Sequence, residues 1–260
     1  MFQSWRVGRF LGIDLFVHPT FWLLPLLVLL GGSAAGPDAV AAELAVLFAA
    51  FGCVALHEYG HAVAAAGFGV RTRDITLYPV GGVASLERMP DRPLAELVIA
   101  LAGPAVNVAI AFALGAGLLL DPGVLPREFV VRLLGVNAML VLFNLLPAFP
   151  MDGGRVLRAV LSLGLSRVRA TEVAVAVGGV VAVGIAAAGV LVFHSVTMPL
   201  VAGLAWLMGQ GELAAVRQEA AARRWGRRPE PTGFTGYEHD PRTGDTLEWV
   251  DGRVVRVWRG

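Results

Sequence analysis

Long apolar stretches constrain the fold of this chain more than any other feature of its sequence. Six of them occur, at about 18–32, 39–66, 94–119, 128–147, 170–193 and from Thr197 onward. A helix that crosses the hydrocarbon core of a bilayer, about 30 Å thick, needs about 20 apolar residues. Charged residues make up only 16% of the chain, against about 25% in soluble domains. The sequence therefore predicts an all-α polytopic membrane protein with six transmembrane helices.

Two glycine-containing segments predict a small amount of β-structure beside the helices. Residues 4–17 are punctuated by glycines and alternate in a strand-like pattern. Residues 74–86 carry Gly81 and Gly82 between two apolar, β-branched arms, which is a turn signal. Because this hairpin is so apolar, we expect it to enter the membrane against other spans. The prediction is a small membrane-associated β-sheet or hairpin.

The C-terminal part differs in composition from the apolar core. Pro229-Glu-Pro-Thr-Gly indicates a linker. The Asp251-Gly252 pair between two strand-like arms predicts a type I′ β-hairpin, which is too small to fold alone. We therefore divide the chain into a six-span core, residues 1–216, and a cytosolic helix extension, linker and short β-hairpin tail, residues 217–260.

The distribution of arginine predicts the orientation in the membrane. All 21 basic residues are Arg, and all but two lie in the two terminal segments and in the loops at 67–93 and 151–169. Cytoplasmic loops carry the excess of basic residues, so both termini are expected in the cytosol and the protein in the cytoplasmic membrane. The N-terminus resembles a secretion signal, but its strand-like residues 8–18 do not fit a short basic n-region, and we expect it to be retained. The net charge of +1 gives no indication of nucleic-acid binding.

The second apolar stretch contains the motif H-E-x-x-H, formed by His57, Glu58 and His61. On a helix the two histidines are one turn apart and face the same way, and neutral imidazoles at this spacing suit two corners of a zinc tetrahedron. Glu58 is rotated by about 100° from His57, so it can act as a general base without being a ligand. A polar cluster satisfied by neighbouring helices is the alternative. Each ionisable residue costs at least about 2.5–3.5 kcal/mol near the bilayer centre, so three within five residues favour a metal site.

A second motif, the segment NLLPAFPMDGG from Asn144 to Gly154, follows the fourth apolar stretch. Its two prolines break the helix and free backbone groups, which is tolerated at membrane depth only beside protein or water. Asp152 is predicted to emerge at the same membrane face as the end of the second stretch. Its carboxylate can therefore supply a third ligand and leave the fourth position to water. The alternative is that Asp152 only caps a helix beginning at Gly153.

Together these motifs resemble those of the site-2 family of intramembrane zinc metalloproteases. Residues 57–61 match that family's H-E-x-x-H, and residues 144–153 match its N-x-x-P-x-x-P-x-D-G pattern. Residues 103–107 resemble its G-P-x-x-N segment, and the glycine pair at 81–82 resembles its membrane-inserted loop. The resemblance extends over about residues 4–210. It is nearest to the compact branch that includes the sporulation protease that processes a sigma-factor precursor, and we expect neither a PDZ domain nor a paired CBS domain.

The resemblance implies a mechanism for the two motifs. One zinc ion (Zn2+) per chain would be bound by His57, His61 and Asp152. Glu58 would be the catalytic base that assists the attack of a zinc-bound water on a peptide bond. The active site would lie near the cytosolic side of the membrane.

The implied substrate is a transmembrane segment of a single-span membrane protein, such as an anti-sigma factor or a membrane-tethered regulator. Asn107 or Asn144 would donate to the oxyanion, and interhelical hydrogen bonding is an equal alternative for both. Gly81 and Gly82 would belong to an edge on which an extended substrate adds as a strand. The lipid bilayer is the other expected partner, nucleic acid is not, and a homo-oligomer is left open.

Two other functions remain open at this point. One is an integral metalloprotease of another family that cuts soluble segments and draws its third ligand from a Glu on a later helix. The other is a non-catalytic membrane adaptor, metal-binding protein or metal transporter that retains the motifs. Glu58 argues against the second, because a pure metal site does not need that residue. Arg155 and Arg158 are interpreted as inner-face anchors rather than catalytic groups.

Overall fold

The computed structural model describes most of the chain. The described residues are 4–32, 36–87, 92–120, 123, 125–226, 236–239, 246–250 and 253–258. The chain divides into two compact units, Met1–Leu213 and Ala214–Gly260.

Helices dominate the described part of the chain. They are α1 (Leu23–Gly31), α2 (Pro37–Gly67), α3 (Pro93–Leu120), α4 (Arg127–Asn144), α5 (Asp152–Leu161), α6 (Arg167–Leu191) and α7 (Thr197–Gly226), with a 3-10 turn over Pro19–Trp22 before α1. By length and composition, four described helical segments can cross a membrane: Pro37–Gly67, Pro93–Leu120, Arg167–Leu191 and Thr197–Ala222. The structure therefore supports a helical, membrane-embedded protein.

Two of the six predicted spans, the first and the fourth, are not among these four segments. The first apolar helix, Pro19–Gly31, is too short to be counted with the other four. Helix α4 has 18 residues and carries Arg127, Glu128 and Arg132 near its start. It ends at Asn144, before the predicted end at residue 147, because Pro147 has no N–H with which to continue the helix.

The predicted strands form, and they combine into one sheet. Its strands are β1 (Trp5–Phe10), β2 (Ile13–Val17), β3 (Thr72–Tyr78) and β4 (Gly81–Leu86), in the order β1-β2-β3-β4. The hairpin of β3 and β4 is antiparallel, as predicted, but its turn lies at residues 79–80. The predicted turn at Gly81-Gly82 is wrong, because both glycines begin β4 and pair with β3. Strands β1 and β2 form a second antiparallel hairpin, and β2 and β3 pair in parallel and join the two hairpins. That pairing was not predicted, because no local pattern links segments so distant in sequence.

The sheet packs on the helix that carries H-E-x-x-H. Ile75 and Leu77 of β3 are buried in one cluster with Phe21 and with Tyr59 of α2. The hydroxyl of Tyr59 donates to the carbonyl oxygen of Ile13 at 3.3 Å. Since Tyr59 lies within the H-E-x-x-H motif, this contact fixes the sheet beside the site.

An ion-pair cluster is buried where α3, α5 and α7 meet in the first unit. Arg158 on α5 is fully buried, and its Nε donates to Glu96 Oε1 on α3 at 2.8 Å. A second nitrogen of the same guanidinium donates to Glu96, and a third to Glu212 on α7. Nη1 of Arg167 lies 3.4 Å from Glu96 Oε2. The interpretation of Arg158 as an inner-face anchor is therefore wrong, because carboxylates from two neighbouring helices neutralise it inside the protein.

The second unit contains the last turns of α7 and a three-stranded antiparallel sheet. Its strands are β5 (Gly236–His239), β6 (Thr246–Val250) and β7 (Arg253–Trp258), in that order. The two arms of the predicted tail hairpin are present as β6 and β7, and β5 is an additional strand. The predicted turn at Asp251-Gly252 and the predicted linker from Pro229 lie outside the described residues.

Candidate metal centre

The structure brings three predicted ligands together. His57 and His61 lie one turn apart on α2, and Asp152 is the first residue of α5. His57 Nε2 lies 3.1 Å from both His61 Nε2 and Asp152 Oδ2, and His61 Nε2 lies 3.2 Å from the same carboxylate oxygen. All three side chains are buried. The group can hold a metal ion.

Two glycines let Asp152 reach the imidazoles. A Cβ on Gly153 would lie 2.3 Å from the carbonyl oxygen of Leu146, and one on Gly154 would lie 2.8 Å from backbone atoms of Ala148 and Phe149. Both positions therefore need glycine for the chain to turn tightly before α5. Met151, and not Asp152, occupies the N-cap position of that helix. The reading of Asp152 as only a helix cap is therefore wrong.

The spacing of the ligand atoms fits zinc. Bonds of about 2.0–2.1 Å at tetrahedral angles put ligand atoms roughly 3.3 Å apart, close to the 3.1–3.2 Å found here. The other nitrogen of each imidazole, Nδ1, lies within hydrogen-bonding distance of an oxygen that can accept its proton as a hydrogen bond. His57 Nδ1 lies 2.5 Å from Asn107 Oδ1, and His61 Nδ1 lies 2.7 Å from the carbonyl oxygen of Ile99. Protons on Nδ1 leave both Nε2 lone pairs facing the centre of the triangle.

Helix α3 closes one side of the site at Gly103. A Cβ at this position would lie 2.3 Å from His61 Nε2 and 2.7 Å from His57 Nε2. Gly60 makes the matching approach from α2, since a Cβ there would lie 2.8 Å from the carbonyl oxygen of Ala102. The two helices therefore touch through glycines next to both imidazoles.

The end strand of the sheet meets the predicted catalytic base. Glu58 is half-buried, and a Cβ on Gly82 would lie 2.5 Å from Glu58 Cγ and 3.1 Å from its Oε1. Gly81, beside it at the start of β4, has a φ of +141°, which only glycine adopts readily. Of the two predicted glycines, Gly82 thus lies against the H-E-x-x-H helix, whereas a Cβ on Gly81 would meet nothing within 4 Å.

The two predicted asparagines lie in different surroundings. Asn107 is fully buried on α3, accepts from His57, and donates through Nδ2 to Asn137 Oδ1 at 2.9 Å. These contacts favour the interhelical role over donation to a substrate oxyanion. Asn144 is the half-buried last residue of α4, just before the turn that leads to Asp152. An oxyanion role for Asn144 stays a prediction.

Sequence reasoning missed two residues near the site. Asn137 on α4 is fully buried and hydrogen-bonded to Asn107. A usable signal existed, because a polar residue inside an apolar stretch usually faces the bundle interior. Gly103 belongs to the recognised G-P-x-x-N segment, but its contact with both imidazoles depends on how α3 packs on α2.

Fold and site together define a class of protein. Apolar helices of membrane-spanning length surround an H-E-x-x-H pair completed by a carboxylate from a later helix, with the glutamate of the motif beside them. This is the ligand set of a catalytic metal centre with a neighbouring base.

The comparisons with known proteins identify the family. A profile described as Peptidase family M50 matches residues 45–133 and 123–187, more than half of the chain. A solved structure, the site-2 protease from Methanocaldococcus jannaschii, matches with a TM-score of 0.56 at 32% identity, covering 81% of this chain and 95% of the solved one. The chain belongs to peptidase family M50, the site-2 protease family, and the predicted resemblance is confirmed.

Two curated relatives carry names that bear on the activity. The zinc metalloprotease MJ0392 of Methanocaldococcus jannaschii is 38% identical over 183 residues, which cover 68% of this chain and 51% of that protein. Stage IV sporulation protein FB of Bacillus subtilis is 31% identical over 146 residues, which cover 56% and 46%. The chain therefore spans about half the length of these relatives.

Proposed function

We propose that this chain is a zinc-dependent intramembrane endopeptidase that cuts peptide bonds in or near transmembrane segments of membrane proteins. One observation carries the proposal. Two histidine nitrogens and an aspartate oxygen lie at zinc spacing among apolar helices, with Glu58 on the same helix as the histidines. Family membership supports the same activity, since MJ0392 is named a zinc metalloprotease.

His57, His61 and Asp152 would hold the zinc ion. The bound ion would act as a Lewis acid, polarising a carbonyl group and lowering the pKa of water. Glu58 accepts the proton of the attacking water and passes it to the leaving nitrogen, which frees the amine. Asn144, the last residue of α4 before the turn that leads to α5, is the remaining candidate donor of a hydrogen bond to the oxyanion.

The end strand of the sheet offers a route for substrate. A transmembrane helix hides its peptide bonds, so a substrate must unwind before it is cut. Strand β4 ends the four-stranded sheet, and its Gly82 packs against Glu58. An unwound single-span substrate would add to this edge as a further strand and present its backbone to the base. An anti-sigma factor or a membrane-tethered regulator is a substrate of this kind.

The six-span topology and its orientation form part of the proposal. Helices α1 and α4 would add two spans to the four longer ones. Local thinning of the bilayer would accommodate their shorter apolar lengths. Arginine bias supports cytosolic termini, a cytosolic side for the site and location in the cytoplasmic membrane. Helix surfaces are apolar as lipid contact requires: Phe112, Val180 and Leu119 are 80%, 74% and 88% exposed.

Cleavage of model substrates by the purified full-length chain tests this function. Wild type, Glu58→Gln and Glu43→Gln are compared on a panel of single-span substrates in detergent, with zinc content measured for each. Glu43 lies on the same helix but pairs with Arg132 at an exposed position, so Glu43→Gln is the matched control. We expect Glu58→Gln to retain zinc and to cut at least about 100-fold more slowly, and the control to match wild type.

The other outcomes separate the competing functions. Zinc bound by every variant with no cleavage by wild type would favour a non-catalytic metal-binding or adaptor protein. Cleavage confined to soluble segments would favour a membrane metalloprotease that does not act within the bilayer. Absence of zinc from folded wild type would overturn the metal site and the mechanism with it.

A further inference from the structure

We propose that Asn137 on α4 is a positioning residue for the metal site. Its side chain fixes the orientation of the Asn107 amide, and this orientation selects the tautomer of His57 that presents Nε2 to the metal. The inference rests on the proposed metal site and deepens it, because it assigns a role to a residue that touches none of the ligand atoms.

Three hydrogen bonds connect α4 to the metal ligand. Asn137 Nδ2 donates to the carbonyl oxygen of Leu133 at 2.9 Å. Asn137 Oδ1 accepts from Asn107 Nδ2 at 2.9 Å. Asn107 Oδ1 then lies 2.5 Å from His57 Nδ1. The chain of bonds runs from the backbone of α4 through two amides to the imidazole.

The carbonyl oxygen of Leu133 sets the direction of every bond in this chain. A carbonyl oxygen can only accept, so the amide of Asn137 must turn its nitrogen toward Leu133 and its oxygen toward Asn107. Asn107 must then turn its nitrogen toward Asn137 and its oxygen toward His57. An oxygen facing Nδ1 requires the proton on Nδ1, which leaves Nε2 as the ligand atom.

Burial removes the alternatives to this arrangement. Asn107 and Asn137 are both 0% exposed, so bulk solvent does not reach either amide. A flipped Asn107 would put its amide hydrogens against Nδ1–H and its oxygen against the oxygen of Asn137. Cys53 Sγ, 3.3 Å from Asn137 Nδ2, gives the same amide a second acceptor. His61 needs no such chain, because its Nδ1 meets the carbonyl oxygen of Ile99 directly.

Zinc affinity of the purified full-length chain tests the inference. Asn137→Leu removes the acceptor for Asn107. Thr171→Val is the matched control, since Thr171 is another fully buried residue and the change removes the hydrogen bond from its Oγ1 to the carbonyl oxygen of Arg167. Competition with a chromophoric chelator measures Zn2+ affinity, and the visible spectrum of bound Co2+ reports the ligand geometry. We expect Asn137→Leu to weaken zinc binding by about 10–100-fold and to alter the Co2+ spectrum. The control should leave both unchanged.

A second substitution separates positioning from general stabilisation. Asn107→Asp gives His57 an acceptor with two equivalent oxygens, so no amide orientation has to be fixed. In that background Asn137→Leu should cause no further loss of zinc affinity. A purely structural role would instead give the same loss in both backgrounds. Asn137→Ala removes the same acceptor and replaces Asn137→Leu if the larger side chain prevents folding.

The outcomes distinguish this inference from the proposed function. If wild type binds zinc and the Asn137 variants match Thr171→Val, the inference is overturned while the metal site stands. If folded wild type binds no zinc, both are overturned. Loss of affinity in the Asn137 variants that disappears in the Asn107→Asp background would support the positioning role.

Discussion

The two sides of the metal site are held in contrasting ways. On the α2 side, the imidazoles are oriented by neutral acceptors, namely the amide of Asn107 and the carbonyl oxygen of Ile99. On the α5 side, Asp152 begins a helix that is held in place by a buried ion pair between Arg158, six residues further along α5, and Glu96 on α3. Neutral hydrogen bonds thus orient two ligands, whereas a buried ion pair holds the helix that carries the third.

The difference predicts which property each region controls. Losing one partner of a buried ion pair costs about 3–5 kcal/mol, because a charge is left uncompensated. Losing a neutral buried hydrogen bond costs about 1–3 kcal/mol. In this site, however, the lost bond would also release the orientation of an imidazole that binds the metal. Changes on the α2 side should therefore act mainly on metal binding, and changes on the α5 side mainly on stability.

Gly103→Ala should have the largest effect, because it acts on both imidazoles at once. The new Cβ would lie 2.3 Å from His61 Nε2, so the rings must leave their positions. We expect zinc content and proteolysis to be lost together. Gly115→Ala on the same helix is the control, since a Cβ there meets nothing within 4 Å. Full zinc content in Gly103→Ala would contradict the close packing of α3 on the site.

Glu96→Gln should produce the largest loss of stability. It leaves the fully buried Arg158 without its principal carboxylate, at a cost of about 3–5 kcal/mol in the free energy of unfolding. Unfolding in mixed micelles with increasing SDS measures this. The zinc affinity of the remaining folded protein should stay near that of wild type. A loss of zinc affinity without a loss of stability would contradict the proposed difference between the two sides.

Gly82→Ala should impair catalysis without affecting the metal. Its Cβ would lie 2.5 Å from Glu58 Cγ and would displace the base rather than a ligand. We expect cleavage to fall by about 100-fold or more, the usual contribution of a general base, with zinc content unchanged. Val83→Ala, at an exposed position of the same strand, controls for general loosening of β4. Equal losses in the two variants would argue that the strand binds substrate without positioning Glu58.

Glu212→Gln should have the smallest effect of the series. Glu212 also pairs with Arg158, but its side chain is 37% exposed, so solvent can replace much of the interaction. We expect a loss of about 0–1 kcal/mol in the same unfolding measurement. A loss as large as that of Glu96→Gln would show that α7 matters as much as α3 for holding α5.

The local parts of this architecture could be predicted from sequence, and the non-local parts could not. Helical spacing alone predicted that His57 and His61 lie together, and the apolar arms predicted the β3–β4 hairpin. The turn of that hairpin falls at residues 79–80 and not at the predicted Gly81-Gly82 pair. The parallel pairing of β2 with β3 and the burial of Arg158 both depend on which distant elements pack together. Asp152 was predicted from its motif and from the common direction of two spans, which is information of intermediate range.

Main-chain oxygens determine the orientation of both imidazoles. His61 contacts the carbonyl oxygen of Ile99 directly, and His57 is connected to that of Leu133 through two side-chain amides. A main-chain oxygen stays in place whatever side chain its residue carries. The coordination geometry is therefore inherited from the relative placement of α2, α3 and α4 rather than from the chemistry of residues 99 and 133. Substitutions at those two positions should leave metal coordination unchanged as long as the spacing of the helix axes is kept.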